Sequence, residues 1–148
     1  MSALDELAWL LNVRGSDIMC NPVAIAYAVV STDKLHLFVD SAKLTQELRD
    51  HLGAAVEIHP YETLAHFLDQ FTSDLAAQGG SVVADHNHLN WAAYQAIHVP
   101  VVNTPSIIER KKMIKNAAEI EVSIHHSHII CEYVCVCVCV CVCFMAKL

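Results

Sequence analysis

Basic residues are scarce in this sequence. Nine lysines and arginines stand against sixteen aspartates and glutamates, giving a net charge of −7 and an isoelectric point near 5.7. Nucleic-acid backbones are held by basic faces, so this balance excludes non-specific nucleic-acid binding. A secretory leader is also lacking: Met1-Ser2-Ala3-Leu4-Asp5-Glu6 has no basic segment followed by a long apolar one. No uncharged apolar window of about 18 residues precedes the tail, and the apolar run over 134–145 falls short of the roughly 20 residues that a bilayer span needs. No membrane partner is expected. Cysteine is nearly missing from the body of the chain. Cys20 stands alone before Cys131, which excludes an internal disulfide there and points to a reducing, cytoplasmic setting. The GxSxG, HExxH, P-loop and GxGxxG patterns are all missing, as is any repeat with a period of roughly 20–50 residues.

The apolar share of 55% and mean hydropathy of +0.39 are high for a soluble chain, and much of the excess lies in residues 131–144. The residues before the tail read as an ordinary α/β sequence. Leu4, Leu7, Ala8 and Leu11 share one face of a short helix, which Asn12-Val13-Arg14-Gly15-Ser16-Asp17 ends with turn formers. Residues 23–30 are a nearly unbroken apolar run, the pattern of a strand buried on both faces. Ser31-Thr32-Asp33-Lys34 has hairpin length, so a strand over 35–39 should lie antiparallel beside the first. Ser41 is placed to cap a helix carrying Leu44, Leu48 and Leu52, with Gly53 ending it.

The pattern then predicts a strand over 56–59 stopped by Pro60. Next comes a helix over 62–78 with a stripe of Leu64, Phe67, Leu68, Phe71 and Leu75, closed by Gly79-Gly80. A strand over 81–85, a helix over 89–97 capped by Asn87, and a strand over 99–102 follow. A last helix runs from Thr104-Pro105 to about residue 121. Strands separated by helices imply an α/β fold with a mixed, largely parallel sheet flanked by helices.

Leu4-Asp5-Glu6-Leu7-Ala8-Trp9-Leu10-Leu11-Asn12-Val13-Arg14-Gly15-Ser16-Asp17-Ile18, with Asn21-Pro22-Val23 after it, resembles an ungapped stretch of the aminopeptidase P (Xaa-Pro aminopeptidase) family. Leu37-Phe38-Val39-Asp40, Ile58-His59-Pro60-Tyr61, and Lys115-Asn116 with Glu119 resemble later stretches in the same order. The resemblance implies a creatinase N-terminal-like domain over residues 1–121, the second of two such domains that precede a pita-bread catalytic domain. Residues 122–148 form a tail outside it.

The family's catalytic domain holds two metal ions, usually manganese, on Asp, His and Glu side chains. It removes the first residue from peptides with proline second. None of those ligand motifs follows Glu121, so the chain is expected to be a truncated, non-catalytic piece with no catalytic residue and no cofactor of its own. Its implied partners are the parent's catalytic domain, a second copy in a homodimer and, through the parent, proline-containing peptides. The alternative is a stand-alone α/β binding or interaction module without peptidase activity.

Arg14 is the candidate substrate-binding residue. The resemblance implies a loop near a neighbouring subunit's cleft, where a guanidinium can hold a substrate carboxylate or carbonyl through a forked contact. The bland reading is an arginine bracing its own loop. Asp85-His86-Asn87-His88 suggests a metal, but zinc needs three or four converging ligands and no third is apparent locally; a solvated strand end is the simpler reading. Asp5 and Glu6 suit a helix start rather than a catalytic pair, because adjacent helical side chains do not face each other.

His125, His126 and His128 beside Cys131 form a tract able to bind metal adventitiously. Residues 134–143 alternate Val and Cys strictly, as a translated GT repeat would. Val122-Ser123 can be encoded by GTG-AGT, a common splice-donor sequence, so the tail is expected to be intron read-through. An uncharged alternating segment of this kind favours strand formation and association if exposed.

Overall fold

The computed structural model describes residues 1–128. These described residues fall into two units, one over 1–110 and a second that begins at Lys111. The first begins with helix α1 (Leu4–Leu10), whose buried side includes Leu7 and Ala8. The helix closes where Leu11 and Val13 donate their N–H groups to Leu7 and Ala8, with Asn12 at a positive φ of 50°. Strand β1 (Ala26–Val30) then pairs antiparallel with β2 (Leu35–Val39), and β3 (Val56–Pro60) adds parallel to β2. The Ser31 hydroxyl both donates to the Lys34 carbonyl and accepts from the Lys34 N–H, which fixes the hairpin and hence its register.

The two-residue period of a strand sorts this sheet into two apolar faces. Ala26, Ala28, Leu37 and Val39 form one buried cluster with Leu7 of α1 and with Leu52, joined by the half-buried Val56 and Ile58. The alternate positions, Tyr27, His36, Phe38, Glu57 and His59, lie on the opposite face. There Phe67 and Phe71, from the helix that follows β3, meet the ring of His36, and Phe67 also meets Phe38 and His59. Phe38 has no exposed surface, so its burial alone contributes about 1.5–3 kcal/mol. Helices on both sides of the sheet explain why β1 and β2 carry few polar residues.

Helix α2 (Gln46–Leu52) starts later than Ser41 suggested. Asp40 accepts from Ala42 to cap a 3-10 turn over Ser41–Lys43, the chain extends at Leu44, and the Thr45 hydroxyl accepts from Leu48 to open the helix. Gly53 ends it as expected, at a φ of 64° and with its N–H on Arg49. Helix α3 (Leu64–Ala77) follows a 3-10 turn over Tyr61–Thr63, and Gly79 and Gly80 return their N–H groups to its last carbonyls. A polar residue interrupts its expected stripe. Thr72 is fully buried, donates to the Leu68 carbonyl and accepts from the His98 N–H.

Strands β4 (Val82–Ala84) and β5 (Val101–Asn103) pair parallel, joined through helix α4 (Trp91–Gln95). Asn90, not Asn87, caps α4 by accepting from Ala92; Asn87 is held in a turn in which its N–H donates to the Asp85 side chain. The fold is thus α/β, and of the three strand pairings two are parallel, as expected. The single sheet expected is instead divided among the described residues, three strands in one sheet and two in another. The helix expected to run from Thr104-Pro105 to residue 121 is also broken. Helix α5 spans Ile107–Lys112, and residues 117–128 are helical again. The break has a local cause: Asn116 accepts from the Glu119 N–H while Glu119 accepts from the Asn116 N–H. This reciprocal box starts a new helix.

Candidate functional site

Ionisable side chains converge on the α3 side of the three-stranded sheet. In the parallel register His36 of β2 lies opposite Glu57 of β3, and Phe38 lies opposite His59. Glu57 and His59 are two residues apart on one strand, so they share His36's face. His36 Nδ1 is 3.1 Å from His59 Nε2, and the Glu57 carboxylate lies 3.9 Å from the first and 3.8 Å from the second. The three ligand atoms lie within 4.8 Å of one another, and among the described residues this is the group able to surround a metal ion.

The rings are held in place by aromatic packing. His36 packs on Phe67 at 4.7 Å between centroids, and His59 stacks on Phe38 at 4.9 Å. Burial among these rings holds His36 below the ordinary imidazole range, against the pull of the Glu57 carboxylate; His59 and Lys34 reinforce the lowering. Lys34 donates to Glu57 at 3.0 Å and holds that carboxyl below its usual range.

Arg14 lies elsewhere, in the loop after α1. Its Nη1 donates to the carbonyls of Ala8 and Val13, each at 2.9 Å, so the guanidinium ties the loop to the C-terminal end of α1. The same loop is anchored by Asp17, whose carboxylate accepts from the Ile25 N–H at 2.6 Å and from Lys43 Nζ at 2.5 Å. The Lys43 bond first, then the Ile25 N–H, keeps the Asp17 carboxyl below the usual carboxylate range.

Asp85, His86, Asn87 and His88 form a turn. His88 lies 3.6 Å from Asp85, and the His86 backbone donates to Asn103. They gather no third metal ligand among the described residues. His125, His126 and His128 are helical, while Cys131 and the Val-Cys segment lie outside the described residues. A groove of about 660 Å³ is lined by β1 at Val29 and Val30, by β4 at Val82 and Val83, and by Leu68 and Phe71 of α3.

The His36–Glu57–His59 group was not visible from sequence spacing. The histidines that cluster along the chain are instead His86/His88 and His125–His128. His36 is 23 residues from His59 along the chain, and only the β2–β3 register joins them. A strand-type Glu-x-His at 57–59 beside a second strand bearing a histidine is the one signal that could have pointed there.

Residues 1–119 match the creatinase/prolidase N-terminal domain family. A probable Xaa-Pro aminopeptidase P from Coccidioides posadasii is 40% identical over 131 residues, covering 82% of this chain and 21% of that protein. Aminopeptidase P2 from Arabidopsis thaliana is 44% identical over 93 residues, covering 62% of this chain and 12% of that protein. The crystal structure of an X-prolyl aminopeptidase from Caenorhabditis elegans, described as a cytosolic enzyme with a di-nuclear active site, superposes with a TM-score of 0.71. It is 30% identical, over 80% of this chain and 20% of that one. The chain spans about a fifth or less of the length of these relatives. The chain therefore belongs to the creatinase/prolidase N-terminal domain family, and its relatives within that family are Xaa-Pro aminopeptidases.

Proposed function

We propose that this chain acts as the non-catalytic N-terminal-type domain of a cytoplasmic, metal-dependent Xaa-Pro aminopeptidase and is inactive alone. The observation that carries this reading is the match of residues 1–119 to an amino-terminal domain, shared with relatives about four to five times its length. The parent activity is removal of the first residue from peptides with proline second, and a manganese pair is the implied cofactor. A two-metal hydrolase site needs bridging ligands around ions about 3.5–4 Å apart. His36, Glu57 and His59 offer one ligand atom each, which suits one ion. The described residues do not fit a metal pair, and the chemistry is assigned to a separate catalytic domain. The domain's contribution is to support that partner and to shape access to its cleft, in a homodimer of the parent.

Arg14 is the residue proposed to reach substrate. Among the described residues its two carbonyl bonds use Nη1 alone, which leaves Nη2 and Nε to support a forked contact. In a full-length relative, alanine at the Arg14 position should lower kcat/KM for a tripeptide; an unchanged value removes the cleft role.

Two measurements test the main reading. The purified chain, given manganese and a peptide with proline second, should release no amino acid above a metal-only blank; measurable release overturns its inactivity. The genomic sequence downstream, past the segment encoding residues 122–148, should hold a reading frame that encodes the Asp, His and Glu ligands of a catalytic domain. A frame without them favours the second reading, a stand-alone interaction module. The groove between β1 and β4 is the observation that supports this second reading, because strand edges on two walls suit an extended apolar segment.

A further inference from the structure

We propose that His36, Glu57 and His59 form a binding site for a single divalent transition-metal ion of the zinc type, clamping β2 to β3. The donor set selects the class. Two imidazole nitrogens and one carboxylate suit zinc and its neighbours, whereas calcium and magnesium prefer oxygen ligands throughout. The spacing agrees. Two nitrogens bound to one ion at about 2.0–2.1 Å sit roughly 3 Å apart when they occupy neighbouring coordination positions. His36 Nδ1 and His59 Nε2 are 3.1 Å apart before any ion is added.

The carboxylate is wider: Oε1 lies 3.8 Å from His59 Nε2 and Oε2 lies 3.9 Å from His36 Nδ1, but the Glu57 side chain is 44% exposed and has room to turn inward. Its Oε2 holds Lys34 while Oε1 is the atom nearer His59, so one oxygen can bind the ion as the other keeps the lysine. Three protein ligands on a partly exposed face leave at least one position for water.

The surroundings favour occupancy over an accidental contact. Both rings are fixed by packing against Phe38, Phe67 and Phe71, so little side-chain entropy remains to be lost on binding. The His36 side chain is only 12% exposed, and its desolvation favours the neutral imidazole that a metal requires. Proton balance is simple. In the ion-free state one imidazole N–H bridges the two nitrogens. On binding, that proton moves through solvent to the far nitrogen of its own ring, both facing nitrogens present lone pairs, and no net proton is released. The ion lies apart from the Arg14 loop and joins two strands that are neighbours through α2, so its role is to stabilise the sheet rather than to act on peptide.

The test uses the full chain with its thiols alkylated, so that the cysteines cannot take the metal. Zinc is added while histidine ring nitrogens are followed by long-range 1H–15N NMR. At one equivalent, the Nδ1 of His36 and the Nε2 of His59 should both shift to metal-bound positions. Glu57→Gln, a change at the exposed rim that leaves the aromatic packing intact, should weaken zinc binding by about tenfold or more. His36→Ala/His59→Ala should remove one equivalent of zinc while leaving uptake by His125, His126 and His128 unchanged. The proposal is overturned if the two nitrogens do not shift at one equivalent. It is also overturned if Glu57→Gln binds as tightly as the parent, a result open to reading even if the double variant fails to fold.

Discussion

Gly15 lies against Ala24 so closely that a Cβ on Gly15 would sit 2.7 Å from the Ala24 Cβ and 2.9 Å from the Ala24 backbone. The approach is part of the loop's own pairing, in which Gly15 donates to the Pro22 carbonyl and Asp17 to the Val23 carbonyl. Gly15→Ala must push the two segments apart and stretch the ties that Asp17 makes to Ile25 and Lys43. Overpacking of this kind costs about 1–3 kcal/mol. Urea denaturation should show the midpoint moving down with an unchanged slope; an unmoved midpoint means that the loop has room to give.

Thr72 supplies the second prediction. Its buried hydroxyl accepts from the His98 N–H at 3.1 Å, tying α3 to the segment that leads into β5. Thr72→Val keeps the shape and strands that N–H, which costs about 1–3 kcal/mol. Thr72→Ser retains the acceptor and should recover most of the loss. Equal destabilisation by both variants would assign the effect to packing instead of hydrogen bonding.

Hydrophobic periodicity carried much of the fold. The stripe from Leu64 to Leu75 set α3, the apolar runs set β1 and β2, and Gly53, Gly79 and Gly80 closed their helices where expected. Capping was harder to read because several oxygen-bearing residues competed at each start. Asp40, Ser41 and Thr45 can all cap, and the choice between them depends on Leu44 turning inward to the core, a tertiary matter. Thr72 was illegible for a related reason: its partner His98 is 26 residues away. The candidate metal group is the plainest case. No spacing rule pairs His36 with His59 until the parallel register of β2 and β3 is known.

The third prediction concerns pH. Burial holds His36 below the ordinary value near 6.5, so the unfolded chain takes up its proton before the folded chain does. Between the two values the unfolded state binds more protons, and stability rises with pH. The contribution is therefore fully present above about pH 6.5 and is lost as pH falls through the lower folded value. His36→Phe removes this imidazole from the face. With a chelator present, the variant should lose less stability than the parent from about pH 7 down to about pH 5. Parallel curves for the two proteins would show that His36 is not the group responsible.

The last prediction follows from the open edge of β1. Met1 and Ala28 exchange both backbone bonds, the amine donating at 2.7 Å and the Met1 carbonyl accepting at 3.1 Å, which is the antiparallel hydrogen-bonded pair. Two-residue alternation puts the backbone of Val30 on that same edge, one pair further along, where its side chain is 62% exposed. Among the described residues the Met1 pairing covers Ala28 and does not reach Val30. An apolar edge beside a groove of about 660 Å³ is a template for a strand from another copy. The chain should therefore self-associate as its concentration rises, visible in sedimentation velocity as a growing average mass. Val30→Lys places a charge on the edge that a second strand cannot bury, and it should shift the distribution toward monomer while the unfolding free energy stays within about 0.5 kcal/mol of the parent. If the lysine leaves the mass distribution unchanged, association runs through another surface. A parent chain that stays monomeric and unfolds in one clean two-state step removes the edge as a liability altogether.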